Sequence, residues 1–575
     1  MTRPSFVTGQ QATIHELFLK HRSMSMVARE VGVSQIRVRE ALVQYQRNIL
    51  RDQGIRPPSL REMMLGDVVT RFCTPRENVG GRPAKHARFS LGVGDAASAR
   101  ARPDAGVPSS AAQNSPSLRR IDPPAVGTAR YLLTSVEAGA EVHRGFWTNL
   151  QAYAARSGAE LLVIRLGAVG VVGGGDARLR SLATTSRIDI GGLVDVVSGS
   201  RSSQSSRPLD SPSIPREARW TLVPHAAIQL ETLARLRGDG LRVQMTTGAA
   251  TVPRGRSRPD WRGELGAVMI EVRGDGHAHC RHLLASIDGD GAFHDLDRRV
   301  SDGRVTVGRP VAAIVFGDLH HAHLDAEVAA ATWGVDGGVV DRVVPIVDRL
   351  RPRTMIFHDV CDFSARSHHD ARDPHRRFAL MSTGGECVRS EFRATAEFLA
   401  ATRRTWSETV VVQSNHDAAL VRWLREADFR QDPVNAEFFL ECSLALYRRL
   451  AQDATGDGLF EQVVRGLSKD GLQQVRFLRT GEGLKIAGVE CGIHGHSAAD
   501  GKRGSMSAFE ALGIRAILGH NHRPTTRGGI CSAGVCQLDL AYARGPLTAW
   551  AVGHVVAHDD GARQHLIFEG GRFFA

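Results

Sequence analysis

The sequence has no apolar run as long as a membrane-spanning helix. Its apolar runs, such as residues 311–316, have the length of a strand, whereas a bilayer requires about 20 residues. The first residues are not followed by the apolar core that a secretory signal contains. We therefore predict a protein without a membrane span or a secretory signal.

Cysteine is also scarce, with eight residues in a chain of 575. The cysteines have neither the paired spacing of zinc fingers nor the density of a disulfide-stabilised secreted domain. Both of these protein classes are excluded. A reducing, cytoplasmic location is expected, which would be the host cytoplasm if the protein comes from a phage.

Lysine is rarer still, since only five of the 73 basic residues are lysine. Basic residues nevertheless exceed acidic ones, and the formal net charge is +12. Such a surplus favours an anionic partner such as DNA, because cations bound along a polyphosphate release condensed counterions. The alternative is a compositional habit of an arginine-rich genome, so the charge alone leaves a DNA partner open.

The length predicts more than one domain, because a single hydrophobic core seldom serves so long a chain. Residues 1–50 have helical periodicity, and residues 76–124 are rich in Arg, Ala, Ser, Gly and Pro, as in a flexible linker. Residues 125–305 alternate strand and helix patterns and predict a small α/β accessory domain. Residues 306–575 predict a larger α/β domain with a helical insertion at 418–480.

The first 50 residues contain a pattern typical of a helix-turn-helix. Ala28 is small enough for a close helix crossing, Gly32 suits the turn and Ser34 suits a helix cap. A second helix would then present side chains to a DNA groove, and the candidates are Gln35, Arg37 and Arg39. The alternative is an ordinary helical hairpin with a solvated basic face.

Five times after residue 310, an apolar run typical of a buried strand ends in polar residues. These ends contain Asp318 and His320, Asp359 and Asp362, Asn415 and His416, His494 and His496, and His520 and His522. Ligands gather at the carboxyl ends of strands in α/β sheets, so five such ends side by side would form one pocket. Carboxylate, imidazole and amide groups suit Mn, Fe, Zn, Co or Ni, and one shared carboxylate would hold two ions.

In this order, the motifs Asp-x-His, strand-Asp, Asn-His-Asp, His-Gly-His and Gly-His-x-His resemble the signature of calcineurin-like metallophosphoesterases. The resemblance covers about the last 265 residues. It implies a double-sheet sandwich flanked by helices and two divalent metal ions, with Mn²⁺ as the first candidate. One ion would be held by Asp318, His320, Asp359 and His522, and the other by Asp359, Asn415, His494 and His520. Asp359 would bridge them, and His416 would be the catalytic histidine.

Several positions depart from that family pattern. His358 and Ser414 stand where the family usually has glycine, and His321 follows the first motif where glycine is common. These side chains would crowd the site or add a phosphate contact, and Asp362 stays an alternative for the bridge. Candidate substrate contacts are His321, Arg366, His368, His369 and Arg523.

A basic chain, a candidate DNA-binding head and a site competent for phosphodiesters together predict a DNA-directed nuclease. The whole arrangement also resembles the first-step DNA transfer proteins of tailed phages, which would imply DNA entry and degradation of host DNA. Two alternatives stay open. The same metal centre serves protein and small-molecule phosphatases, and the chain would be a DNA-binding regulator if its phosphoesterase domain were inactive.

Overall fold

The computed structural model describes most of the chain after residue 116. The described residues are 9–21, 24–31 and scattered positions from 33 to 48, and then 117–573 except 168–176, 200–205, 211–216, 253–263, 287, 336–343, 371–372, 454–455 and 538–544. The chain divides into two compact units, residues 1–110 and 111–575. Among the described residues, no helix is both long and apolar enough to cross a membrane.

The described helices are α1 Gly9–His21, α2 Met24–Val31, α3 Arg144–Ser157, α4 Ala177–Leu182, α5 Ala326–Trp333, α6 Ile346–Leu350, α7 Pro374–Ser382, α8 Val388–Thr402, α9 Ala419–Glu426, α10 Ala436–Asp453, α11 Leu459–Leu467 and α12 Met506–Glu510. The strands are β1 Leu118–Ile121, β2 Thr128–Glu137, β3 Glu160–Leu166, β4 Ala183–Thr184, β5 Arg187–Ile190, β6 Val194–Val196, β7 Trp220–Val223, β8 Leu230–Thr232, β9 Arg235–Leu236, β10 Val243–Thr246, β11 Gly266–Arg273, β12 Ala278–Leu284, β13 Phe293–Asp295, β14 Arg298–Ser301, β15 Arg304–Thr306, β16 Ala313–Val315, β17 Thr354–Phe357, β18 Glu408–Val411, β19 Val475–Phe477, β20 Lys485–Ile486, β21 Val489–Glu490, β22 Ala516–Leu518, β23 Thr525–Arg527, β24 Ile530–Ser532, β25 Leu547–Thr548, β26 Gly553–Ala557 and β27 Arg563–Ile567. The protein is therefore a mixed α/β protein, as predicted.

The N-terminal unit has its own small core around α1 and α2. Ala28 is buried within it, and the amide of Val33 donates to the Ala28 carbonyl as the chain leaves α2. The core residues are Ile14, Phe18, Val27, Ala28, Val38, Leu42 and Val43. Gln35, Arg37 and Arg39, the candidate DNA contacts, lie outside the described residues, as do Gly32 and Ser34.

The predicted linker at 76–124 includes, near its C-terminal end, residues that form a strand. Residues Leu118–Ile121 form strand β1, which pairs in parallel with β5. The segment has only one or two strongly apolar side chains, so it lacks the alternation that marks a half-buried strand. Its backbone hydrogen bonds to a neighbouring strand, rather than a buried face, keep it in the sheet.

The region predicted as an accessory domain contains a five-stranded sheet, here called the accessory sheet, in the order β12-β11-β2-β3-β4. Its hairpin turns at Asp275 and Gly276, as the Asp-Gly pair predicts, and Gly276 has a φ of +83° that favours glycine. Helix α3 packs on this sheet through Phe146, Leu150 and Tyr153.

Two further sheets carry the metal-binding motifs. The first sheet has six strands in the order β19-β18-β17-β16-β26-β27, and the second has eleven in the order β1-β5-β6-β7-β10-β8-β23-β24-β22-β21-β20. They pack face to face through apolar side chains such as Val315, Ile356 and Ile517. The five motif strands do not therefore lie side by side in one sheet: β16, β17 and β18 belong to the first sheet, and β21 and β22 to the second.

The predicted boundary at 305/306 does not separate two compact units. Strand β8 of the accessory region pairs with β23 of the metal-motif region, with Glu231 opposite Thr525 and Leu230 opposite Thr526. The second sheet therefore crosses the boundary. The physical reason is that two strand edges satisfy each other's backbone hydrogen bonds, which leaves no sign in local sequence patterns.

The helical insertion predicted at 418–480 contains α9, α10 and α11, and ends before β19 joins the first sheet. Trp423, Phe438 and Phe439 are buried in the core, as their spacing predicts. Leu444 and Tyr447 have the same apparent spacing but are exposed. Helix α10 therefore has apolar residues on two faces, and only one face packs inward.

A buried ionic network ties the accessory sheet to the rest of the second unit. Arg281 is 3% exposed, its Nε lies 2.6 Å from Oδ1 of Asp295, and its Nη1 donates to Glu271 at 2.5 Å. Asp295 also accepts hydrogen bonds from Tyr153 and Gln564. The network joins strands β11, β12, β13 and β27 with helix α3.

Replacing Arg281 with Met should lower the free energy of unfolding by about 3–5 kcal/mol, because the buried Asp295 would lose the guanidinium paired with it and Glu271 would keep only Arg130. Urea unfolding followed by circular dichroism measures this. The matched control is Arg119→Met, since the Arg119–Glu160 ion pair is about half exposed and should contribute under about 1 kcal/mol. Equal losses in both variants would contradict the prediction.

Several buried histidines make the fold sensitive to acid. Burial lowers the pKa of His225 and His282 to about 4, and that of His558 and His565 to about 3. His282 hydrogen-bonds to the Thr246 carbonyl and His565 to the Thr526 hydroxyl. Each side chain is thus held neutral in the folded protein.

In the metal-free protein, the contribution of these four histidines to stability should therefore be full above about pH 6.5 and fall as the pH drops from there toward about 4. Between these pH values the histidines bind protons in the unfolded chain but not in the folded chain. The free energy of unfolding therefore falls by about 1.4 kcal/mol per histidine for each pH unit. Thermal unfolding in EDTA between pH 8 and 5 measures the slope, which should be shallower in a His282→Gln variant. A flat melting temperature from pH 7 to 5 would contradict it.

Candidate metal centre

The candidate site lies where five loops meet at the ends of two sheets. The loops follow β16, β17 and β18 in the first sheet, and β21 and β22 in the second. They carry Asp318 and His320, Asp359, Asn415 and His416, His494, and His520 and His522. The structure thus brings together the residues that the sequence selected from five separate segments.

The first group around this site is Asp318, His320, Asp359 and His522. Each offers a potential ligand atom within 4.8 Å of the others, and all four residues are buried. Nε2 of His522 lies 3.1 Å from Oδ2 of Asp318, and Nε2 of His320 lies 3.1 Å from Nε2 of His522. Carboxylate and imidazole atoms therefore face one small volume, and this group can hold a metal ion.

A second group shares Asp359 with the first. Nε2 of His494 lies 3.2 Å from Oδ2 of Asp359 and 3.1 Å from Oδ1 of Asn415. The ring of His520 lies 5.2 Å from that of His494, measured between centroids, and the backbone amide of His520 donates to Oδ2 of Asp318 at 2.6 Å. The Asp359 side chain thus contacts ligand atoms of both groups.

The backbone at the site is held in an uncommon conformation. His320, Asp359, His520 and His522 all have positive φ angles, between +42° and +69°. Residues other than glycine seldom adopt such angles, and they persist where the surrounding structure enforces them, often at functional sites. Four of the seven candidate ligands thus have a positive φ angle, which no sequence pattern predicted.

Asp362 lies beside the first group and contacts three histidines. Its Oδ1 is 2.9 Å from Nδ1 of His320 and 3.6 Å from Nδ1 of His416, and its Oδ2 is 3.4 Å from Nε2 of His323. A carboxylate on the far nitrogen of a ligating histidine fixes the tautomer and the ring orientation. The geometry therefore favours Asp359 over Asp362 as the shared carboxylate, and gives Asp362 an orienting position.

His416 stands at the open side of the site, with a side chain that is 17% exposed. Its Nδ1 donates to the backbone carbonyl of Asp362 at 2.9 Å, and its ring packs edge-on against that of His320. Burial lowers the pKa of His416, but the charges of Asp359 and Asp362 outweigh burial and raise this pKa above its usual value.

The loop of Asp318 is supported from behind by His554. The amide of Gly317 donates to Nδ1 of His554, so Nε2 carries the proton and donates to Oγ1 of Thr332 on α5. Gly519 closes the same region, because a Cβ there would lie 2.3 Å from Oδ1 of Asp318. Only glycine fits this close approach.

The electrostatics suit a cation. Both Asp359 carboxylate oxygens are buried and accept no well-aligned hydrogen bond from the described residues. Burial raises the pKa of Asp359, but His494 and His416 hold it well below its usual value. Burial lowers the pKa of His494, yet the Asp359 carboxylate raises it to about 9. Metal binding should therefore release a proton from His494.

The candidate substrate contacts fall into different surroundings. Arg366 makes a two-pronged ion pair with Asp432, with both distances at 2.6 Å, so its guanidinium is engaged within the fold. Arg523 donates to the Thr232 carbonyl of the accessory region. His321 packs on Phe398, whereas the rings of His368 and His369 contact each other at a tilt in an exposed loop.

The structure also shows what His358 and Ser414, two of the residues that depart from the family pattern, contact. His358 is completely buried and lies against the ring of His494, so it adds no phosphate contact. The hydroxyl of Ser414 accepts the amide of Asp417 and closes the turn before α9. The sequence analysis did not identify His323, which contacts Asp362, or the contact between Asp362 and His320. The spacing of the two acidic residues at 359 and 362 was the signal that could have indicated this role of Asp362.

No protein-family model matches this sequence, so the resemblance to metallophosphoesterases rests on the motif residues. The chain is similar to the protein named Protein A1 of Escherichia phage T5, with 29% identity over 479 residues, which span 78% of this chain and 83% of that protein. This similarity relates the chain to a phage protein.

Proposed function

We propose that the protein is a metal-dependent phosphodiesterase that cleaves DNA. The observation that carries the proposal is the convergence of Asp318, His320, Asp359 and His522 in one buried group, with Asp359 also touching His494. Two face-to-face sheets with the site at their ends fit a calcineurin-like sandwich. The residues would hold two divalent ions, with Mn²⁺ as the first candidate.

The bound ions would lower the pKa of a water to give hydroxide near neutral pH and would neutralise the phosphoryl oxygens. The chain's own residues supply the rest. Asp362 and its backbone carbonyl orient His320 and His416. His416 stands at the open side of the site, the charges of Asp359 and Asp362 raise its pKa, and it donates a proton to the leaving oxygen as general acid.

DNA is the proposed substrate for three reasons. The chain carries a net charge of +12, which favours polyanions. The N-terminal unit packs α1 and α2 around Ala28, which fits a helix-turn-helix head. The similarity to a phage protein fits the resemblance to phage DNA transfer proteins, so we place the activity in DNA transfer and degradation of host DNA.

Purified full-length protein with Mn²⁺ tests the proposal on plasmid DNA, linear duplex DNA and a phosphoserine peptide, each with an EDTA control. We expect both DNA forms to be cleaved only with metal, and the peptide to stay intact. Rapid peptide hydrolysis with intact DNA would instead establish a phosphatase. DNA binding without any turnover would establish a regulator.

A further inference from the structure

A tryptophan outside the five motif loops, Trp550, contacts the candidate metal centre. Its half-buried indole packs edge-on against the imidazole of His522, with 4.4 Å between the ring centroids and 76° between the ring planes. Next to Trp550 in the chain, the amide of Ala551 donates to the His522 carbonyl at 3.2 Å. The segment around Trp550 therefore contacts both the ring and the backbone of one candidate metal ligand.

The rings of His320 and His522 are held in different ways. Nδ1 of His320 lies 2.9 Å from Oδ1 of Asp362, and such a carboxylate fixes the orientation of a ligating histidine through its second nitrogen. In His522, Nε2 lies 3.1 Å from Oδ2 of Asp318, whereas Nδ1 is buried and has no hydrogen-bond partner among the residues that the structure describes. The orientation of the His522 ring therefore depends on packing, and the edge-on contact with Trp550 is a favourable aromatic geometry.

The accessory region holds the segment that carries Trp550. Strand β9 of that region pairs with β25, which ends two residues before Trp550. The Arg235 guanidinium donates to the Trp550 carbonyl at 3.0 Å, and the Thr232 hydroxyl donates to the carbonyl of Ala549. These hydrogen bonds fix the backbone on which the indole stands, so residues of the accessory region act on the ring of His522 through Trp550.

We propose that Trp550 is a positioning residue for His522, and that the accessory region sets the affinity of the first ligand group for a divalent ion by holding Trp550. This assigns the accessory region a role in the metal centre, although it contributes none of the candidate ligands. The inference rests on the metal centre of the proposed function but not on DNA cleavage, and metal binding alone tests it.

Isothermal titration calorimetry of the metal-free full chain with Mn²⁺ tests the proposal. Trp550→Ala should bind one manganese equivalent at least about tenfold more weakly than the unaltered chain, as expected when the support of a ligating histidine is removed. Trp550→Phe keeps an aromatic ring against His522 and should stay within about threefold of the unaltered affinity. Trp406→Ala is the matched control and should bind manganese normally, because Trp406 lies before β18 and contacts the Arg351 guanidinium. Unchanged affinity in Trp550→Ala, or an equal loss in either of the other variants, would overturn the proposal.

A second pair of variants tests the accessory region and leaves the indole in place, so it decides the question even if Trp550→Ala does not fold. Thr232→Val removes the hydrogen bond to the Ala549 carbonyl and should weaken the same manganese equivalent by about threefold to tenfold. Thr134→Val removes a similar buried hydrogen bond, to the Gly266 carbonyl within the accessory sheet, and should leave the affinity unchanged. Equal affinities in these two variants would overturn the role of the accessory region. An unaltered chain that binds no manganese would instead overturn the metal centre itself, which distinguishes that failure from this one.

Discussion

Replacing Asp359 with Asn is expected to lower phosphodiesterase activity at least about a thousandfold, which corresponds to about 4 kcal/mol of activation free energy. The Asp359 carboxylate lies within reach of both ligand groups, 3.2 Å from Nε2 of His494 and 3.7 Å from Nε2 of His320. An amide keeps the shape of the side chain but removes the charge that a pair of cations would share. Both metal affinity and activity should therefore fall.

Bound manganese, measured by elemental analysis after dialysis, and cleavage of plasmid DNA check this prediction together. Asp302→Asn is the matched control, because Asp302 is exposed in a turn with a φ of +51° that asparagine also tolerates. The control should keep full metal content and activity. If the Asp359 variant kept both as well, the shared-carboxylate arrangement would be wrong.

The strands that carry the site were predictable because each is buried on both faces. Strands β16, β17 and β18 read as continuous apolar runs, and each ends directly in its polar motif. The order of those motifs along the chain then selected Asp318, Asp359 and Asn415. Local patterns were enough to predict these strands and their ligands, because consecutive residues show both the burial of a strand and the side chains at its end.

Other features depend on contacts between distant residues and left no local pattern. The pairing of β8 with β23 joins segments almost 300 residues apart in the chain, so the accessory region could not be recognised as part of the second sheet. Arg366, a candidate substrate contact from the sequence, pairs with Asp432, which lies 66 residues away in the chain. The same holds for the positive φ angles of His320 and His522, which the surrounding packing enforces.

Asp362 shows that the position of a residue within a motif does not by itself determine its role in the site. Asp362 comes three residues after Asp359 in the sequence, which predicted Asp359 as the bridge and kept Asp362 as the alternative. Side-chain direction separates them, since the loop after β17 turns Asp362 toward His320, His323 and His416. Glu391 of α8 holds this loop by accepting the amides of Ser364 and Ala365.

Replacing His416 with Ala should lower DNA cleavage by about 10²–10⁴-fold, the usual contribution of a general acid, and leave the manganese content unchanged. His416 lies outside the buried group around Asp318 and contacts Asp362 through the backbone carbonyl. The metal ligands should therefore keep their places. His375→Ala is the matched control, because the His375 side chain is 97% exposed, and it should behave as the unaltered protein.

The leaving group separates proton donation by His416 from a purely structural effect. The sugar oxygen that leaves when a DNA phosphodiester is cleaved is a poor leaving group that needs a proton, whereas p-nitrophenolate leaves without one. The His416→Ala variant should thus lose much less activity toward bis(p-nitrophenyl) phosphate than toward DNA. Equal losses on both substrates, or a loss of manganese, would show that His416 acts by holding the site together and not as the proton donor.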